Sequence, residues 1–90
     1  MAVRKEEQPS SYHRSRQERA EQVKRKQHFH QLETQIEEAE ERIAALQTAI
    51  ADPETGRDYE KLSDLCAELE QEKNRHEEIL AEWMELSEFL

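Results

Sequence analysis

Residues 29–50 read FHQLETQIEEAEERIAALQTAI, and apolar side chains recur along them at alternating intervals of three and four residues. The members of this series are Phe29, Leu32, Ile36, Ala39, Ile43, Leu46 and Ile50. This spacing is typical of a heptad repeat, which puts one apolar seam along a helix and requires a partner helix to cover it. The stretch therefore predicts a long helix that packs against another long helix.

A second series with the same spacing follows downstream and supplies that partner. Its members are Leu62, Leu65, Leu69, Glu72, His76, Ile79, Trp83, Leu86 and Leu90, of which Glu72 and His76 are polar. A polar residue in such a seam pairs with a neighbour, fixes the register or faces solvent. The two series predict an all-α fold, an antiparallel two-helix coiled-coil hairpin.

The segment DPETGRD (52–58) separates the two series and contains helix-breaking residues. Pro53 disfavours the helical conformation at Asp52, and both Asp52 and Asp58 are good helix N-caps. Gly56, the only glycine, is expected to supply a flexible corner. We predict a first helix over about 17–51, a tip over 52–58 and a second helix over about 59–90.

Residues 1–16 (MAVRKEEQPSSYHRSR) show no apolar period and include a proline. They are predicted to form a disordered N-terminal tail or flexible linker, which leaves residues 17–90 as the helical hairpin.

The seams also suggest a register. Folding the chain about residue 54 pairs Leu32 with His76, Ile36 with Glu72, and Trp83 with Arg25. In that register Leu90 lies opposite about residue 18, so the second helix covers the first from its charged start.

Composition restricts the class of protein. With 90 residues, one Gly, two Pro and 39% charged residues, the chain has the composition of a single small domain built from long helices. Cys66 is the only cysteine, so an internal disulfide is impossible, and no apolar run approaches the roughly 18 residues of a membrane span. We expect a cytoplasmic protein without membrane partners.

Residues with catalytic or metal-binding chemistry do not form a recognisable site. His28, His30, Cys66 and His76 are the metal-ligand candidates, but the predicted helices keep them apart. Glycine-rich phosphate loops are absent, and two helices cannot build a concave active site. The expectation is a chain without catalytic, cofactor-binding or metal-binding residues, which is not an enzyme by itself.

The net charge of −9 is unevenly distributed along the chain. Residues 1–30 carry eight Lys or Arg against four Glu, whereas residues 31–90 carry five Lys or Arg against eighteen acidic residues. A polyanion can therefore approach only the N-terminal end. The candidate nucleic-acid-binding residues are Arg14, Arg16, Arg19, Lys24, Arg25 and Lys26. The alternative interpretation of these cations is a solvated helix end.

Four segments of the chain carry a resemblance to a known family. They are KRKQHFHQLETQIEEAEERIAAL (24–46), ADPE (51–54), DYEKLSDLCAELE (58–70) and EWMELSEFL (82–90). From about Val23 to Leu90 the sequence resembles the C-terminal coiled-coil domain of ABC-F ATPases, the Uup-like group of ATP-binding cassette proteins.

The resemblance implies a hairpin joined by a linker to two upstream ATPase domains, which would hold the ATP and magnesium. Such ATPases act on ribosomes in translation, and their C-terminal domain is associated with nucleic-acid binding. The resemblance therefore implies DNA, ribosomal RNA or tRNA, and the ribosome, as partners. Where relatives often have a proline, this chain has Glu33, so its first helix is expected to run straighter.

Two other functions fit the same pattern. The seam can act as a structural coiled-coil module that dimerises or docks on a partner helix, but the helix-breaking tip between matching seams favours an intramolecular hairpin and a monomer. The hairpin can also be an RNA-binding arm like those appended to some tRNA synthetases, which differs only in its host enzyme.

Overall fold

The computed structural model describes the backbone of residues 2–90 and the side chains of residues 14–90. It contains three helices: α1 (Ala2–Ala51), α2 (Pro53–Gly56) and α3 (Tyr59–Ser87). The two long helices pack side by side and antiparallel in a rod of 83 × 16 × 14 Å. This confirms the predicted all-α hairpin.

The apolar seams form the interface between α1 and α3. Leu32 is 2% exposed, Ala39 is 0% exposed, and Ile79 on the facing helix is 8% exposed. From Phe29 to Leu86, every member of the two series is buried or half-buried, while most residues between them are exposed. Each heptad therefore places its apolar side chains against the other helix, as the spacing predicts.

The bounds of α1 differ from those expected at its N-terminal end. α1 begins at Ala2, upstream of Gln17, where the sequence analysis placed the start. Residues 14–17 (RSRQ) lack a helix breaker, so nothing there ends the helix before its apolar seam. The predicted flexible linker over residues 1–16 falls mostly on residues 1–13, whose side chains lie outside the described part of the chain, and its flexibility stays a prediction.

The tip is a short helix held by two aspartate caps. The side chain of Asp52 accepts a hydrogen bond of 3.0 Å from the Glu54 backbone N–H, and that of Asp58 accepts one of 3.1 Å from the Lys61 N–H. Between them, the Thr55 side chain is buried at 2% exposure. The caps satisfy N–H groups that the first turn of a helix leaves without partners. Both predicted N-caps are confirmed.

Gly56 does not adopt a left-handed conformation. Its φ is not positive, and a Cβ added there would meet no atom within 4 Å. The turn of α2 reverses the chain without a left-handed residue, and the flexibility expected at Gly56 stays a prediction.

The cap of α3 gives a testable result. Asp58→Ala is expected to lower the free energy of unfolding by about 1 kcal/mol, because the first turn of α3 loses its side-chain acceptor. Thermal unfolding followed by circular dichroism measures this change. Asp64→Ala, at an exposed position within α3, is the matched control and is expected to have little effect. Equal effects of both substitutions would contradict a capping role.

The register between α1 and α3 differs from the predicted one. Trp83 stacks on Phe29, with ring centroids 5.3 Å apart, rather than facing Arg25. Glu72 Oε2 accepts a 3.1 Å hydrogen bond from Arg42 Nε, six residues beyond the expected Ile36.

His76 also contacts a residue of α1 beyond its expected partner. His76 Nε2 lies 3.2 Å from Glu40 Oε1, eight residues beyond the expected Leu32. The two polar seam residues thus each contact α1. Phe29 and Trp83 are both seam members and lie four residues from the expected pairing, so the displacement is about one layer of the seam. Apolar layers still face one another, because they recur every three or four residues.

Candidate nucleic-acid interface

The six candidate cations all lie on the N-terminal part of α1 and all are exposed. We call residues 14–26 the basic segment. Its candidate members are Arg14, Arg16, Arg19, Lys24, Arg25 and Lys26. Residues 31–90, with a formal charge of −13 from five cations and eighteen anions, form the acidic body.

α3 ends before it reaches most of the basic segment. The Arg25 guanidinium carbon lies 5.9 Å from the centroid of the Phe89 ring, and Phe89 is the penultimate residue of the chain. Since the helices are antiparallel, the cover of α1 ends near Gln22, which is half-buried, whereas residues 14–21 are all exposed. The expectation that α3 covers α1 from about residue 18 was wrong, for the same reason as the predicted register.

Helical geometry divides the six cations among three sides of α1. Successive residues turn by about 100°, so Arg16, Arg19 and Lys26 fall within a sector of about 80° that also contains Val23. Val23 is 54% exposed, so this sector faces solvent. We call Arg16, Arg19 and Lys26 the basic stripe. Lys24 lies on another side of the helix.

Arg14 and Arg25 project from the third side, towards the seam, and Arg25 is the cation most engaged by its neighbours. Its Nη2 lies 3.8 Å from Glu21 Oε2, one turn earlier on the same helix, in addition to the contact with Phe89. By contrast, Arg19, Lys24 and Lys26 form no salt bridge with any described residue. The structure thus brings three of the six candidates together and separates Arg25 from them.

Phe89 is the residue of this region that the sequence analysis missed. It lies outside the heptad series and is 64% exposed, yet it contacts Arg25. An aromatic residue attracts a cation over its ring face. The sequence does show an aromatic residue at the C-terminal end of α3. Its partner depends on the register of the two helices, which the heptad spacing does not define.

The described residues provide no metal site and no membrane span. Among residues 14–90, no three His, Cys, Asp or Glu side chains come together as a metal ion would require. None of the described helices combines the length and apolar character needed to cross a bilayer. The basic segment instead offers exposed cationic side chains, which can contact phosphate groups.

Comparison with known families adds the decisive observation. Residues 17–88 match the family model described as the ABC transporter C-terminal domain. The chain belongs to this family. No curated protein and no solved structure matches the chain.

This ABC transporter C-terminal domain is a module of ATP-binding cassette ATPases, and family membership is consistent with ATPase domains upstream in the same polypeptide. The match includes Arg19, Lys24, Arg25 and Lys26, whereas Arg14 and Arg16 precede it. The predicted resemblance is confirmed at the level of an ABC ATPase C-terminal domain.

Proposed function

We propose that this ABC transporter C-terminal domain is a non-catalytic, nucleic-acid-binding module of an ABC-F (Uup-like) ATPase that acts in translation. It contacts the backbone of RNA or DNA through the basic segment, in the cytoplasm and at the ribosome. ATP and magnesium bind in the ATPase domains rather than in the hairpin. The observation that carries the proposal is the basic stripe, whose three cations are all exposed on one side of α1.

The charge distribution supports docking by one end of the rod. Arg16, Arg19 and Lys26 project from one side of α1 before the acidic body begins. A phosphate backbone is attracted to the stripe and repelled by the eighteen acidic residues of the body. The hairpin therefore projects away from the nucleic acid, which leaves the tip free to reach another part of a large assembly.

The basic stripe is expected to place the module on the nucleic-acid backbone rather than to recognise a base sequence. Lys and Arg side chains on a backbone carry no base information by themselves, and Val23 is the apolar residue among them. Affinity is therefore expected to be similar for different sequences of one duplex type and to fall steeply with salt.

Burial within one chain favours a monomeric module over a coiled-coil dimer. Leu32, Ala39 and Ile79 are covered by the chain's own helices. Because the seam is occupied, a second copy would have to open the hairpin before it could pair. We propose a monomer whose partner is a nucleic acid.

Two single substitutions test the assignment residue by residue. Lys26→Gln is expected to weaken binding to labelled RNA or DNA duplexes about fivefold to tenfold near 0.1 M salt, because one phosphate contact and its counterion release are lost. Arg25→Gln is expected to change affinity by less than about twofold, because Glu21 and Phe89 already engage that guanidinium. Fluorescence anisotropy measures both.

Lys73→Gln, at an exposed cation of the acidic body, is the matched control. It removes the same charge and is expected to leave affinity unchanged. Equal losses for Lys26→Gln and Lys73→Gln would show that only net charge matters and would contradict a localised interface. Absence of binding by the unmodified chain at low salt would contradict the proposed function itself.

A further inference from the structure

An open groove lies between α1 and α3 on one side of the hairpin. Its lining residues are Glu33, Ile36, Glu37, Leu80 and Trp83, which we call the acid-edged groove. Ile36, Leu80 and Trp83 supply apolar surface, and the two glutamates supply carboxylates. The groove has a volume of about 200 Å³, below the roughly 300–1,000 Å³ of small-molecule pockets, so it suits a single long side chain.

The groove lacks the cation that carboxylates find elsewhere between the two helices. Among the described residues, three pairs join a carboxylate on one long helix to a basic side chain on the other, over 2.9–3.2 Å: Glu82 with His28, Glu72 with Arg42, and Glu40 with His76. At the groove, α1 presents Glu33 and Glu37, but the α3 residues of the lining are Leu80 and Trp83. Neither of these carries a positive charge.

Both carboxylates of the groove can bind a further cation. Glu33 Oε1 lies 3.1 Å from His30 Nδ1 on the same helix, and the second oxygen of Glu33 remains for another donor. Glu37 forms no salt bridge with any residue among 14–90. The two glutamates are four residues apart, so they are neighbours on one side of α1.

The groove wall also contains a hydrogen-bond donor without a partner. Trp83 Nε1 is buried and has no acceptor among the described residues. A buried donor of this kind is costly. A peptide in the groove brings carbonyl oxygens, which can accept from the indole once a small rotation uncovers the nitrogen. A protein segment therefore fits the groove better than a metal ion, which brings no acceptor.

The acid-edged groove lies on the same side of α1 as the basic stripe. Glu33 follows Lys26 by seven residues, so the two side chains project in nearly the same direction, about 10.5 Å apart along the helix. A cationic patch is thus followed by an anionic one. A partner surface on which basic protein side chains lie beside a phosphate backbone would match both.

We propose that the acid-edged groove binds an arginine side chain from a basic protein segment. The guanidinium bonds the carboxylates of Glu33 and Glu37, and the aliphatic stem covers Leu80. Arginine is favoured over lysine because its planar group of five donors can bond two carboxylates at once. That the same partner carries a nucleic acid for the basic stripe rests on the proposed function, whereas the groove itself does not.

Titration with a hexa-arginine peptide tests the groove in the absence of nucleic acid. Trp83 is the only tryptophan of the chain, so its fluorescence reports what enters the groove. Near 0.1 M salt, where exposed charges more than about 10 Å apart are screened, the parent protein is expected to show a saturable change in emission. A hexa-lysine peptide of equal charge is expected to bind more weakly.

Two paired substitutions separate the groove from net charge. Glu33→Gln with Glu37→Gln is expected to weaken hexa-arginine binding about fivefold to tenfold, because two partly exposed ion pairs are lost. Glu38→Gln with Glu41→Gln is the matched control, since it removes the same charge from exposed positions of α1 outside the groove. The control is expected to change affinity by less than about twofold. Leu80→Gln keeps a similar size but removes apolar surface, and it is expected to weaken binding.

Circular dichroism confirms that each variant retains the hairpin. Equal losses for the two glutamate pairs would overturn the proposal, because net charge alone would then explain binding. Binding of labelled hexa-arginine, measured by anisotropy, without a change in Trp83 emission would also overturn it, as would no binding at all. These outcomes leave the proposed function intact, since duplex binding is measured separately. Failure of duplex binding with an occupied groove would instead contradict the proposed function and retain the groove.

Discussion

Leu32→Asp is expected to unfold α1 and α3 together and to lower the free energy of unfolding by more than about 4 kcal/mol. Leu32 is 2% exposed and faces the other helix near the stacked Phe29 and Trp83. An ionised carboxylate there would lose its hydration without a cation to replace it. A domain of this size has little stability to spare, so the variant is expected to be largely unfolded at room temperature.

Circular dichroism at the helical minimum, followed during heating, measures this effect. Gln31→Asp is the matched control, because it introduces the same side chain one residue earlier at an exposed position. The control is expected to retain the helicity and the cooperative transition of the parent protein. Unchanged melting of Leu32→Asp would mean that the two helices do not depend on one another, and the hairpin described here would be wrong.

Reversing the charge of the basic stripe is expected to have the largest effect on nucleic-acid binding. The triple substitution Arg16→Glu, Arg19→Glu and Lys26→Glu removes three cations and adds three anions on one side of α1. Each lost phosphate contact weakens binding about fivefold to tenfold near 0.1 M salt, so the loss is expected to exceed about a hundredfold. The added carboxylates repel phosphates and increase it further.

A control with the same net charge separates local contacts from total charge. Lys61→Glu, Lys73→Glu and Arg75→Glu make an equal change at exposed positions of the acidic body. This control is expected to weaken binding only slightly, because those cations lie among acidic residues far from the stripe. Similar losses in both triple variants would contradict an interface on α1.

The fold could be predicted from sequence because its determinants are periodic and local. The spacing from Phe29 to Ile50 defines one helical seam, and Asp52 and Asp58 define the ends of the tip. Heptad spacing and N-caps act over a few residues, so a single sequence contains them. The hairpin and both caps were confirmed for this reason.

The register could not be predicted because a seam with alternating spacings of three and four residues matches itself again after a shift of one layer. The choice depends on pairs such as Arg42 with Glu72, which lie beside the seam and are separated by 30 residues in the chain. The conformation of Gly56 could not be predicted for a different reason. A glycine permits a left-handed turn but does not require one, and here α2 makes the reversal.

The candidate site was predicted in composition but not in arrangement. Charge alone identified the cations of the basic segment as a group, and the structure shows that all six are exposed. The charge pattern did not distinguish Arg25 from the other cations, because its contact with Phe89 depends on where α3 ends. The charge pattern also could not show that Arg16 and Arg19 lie beyond the end of α3, because that follows from the register.

A salt titration of duplex binding is the most direct test of the central claim, that the basic stripe is a nucleic-acid contact surface. For the parent protein, the logarithm of the association constant is expected to fall linearly with the logarithm of salt concentration, with a slope of about −3 for three phosphate contacts. The stripe-reversal variant is expected to show no measurable binding, while the body-reversal control retains the parental slope. A slope that is unchanged when the charges of Arg16, Arg19 and Lys26 are reversed would contradict the proposed contact surface.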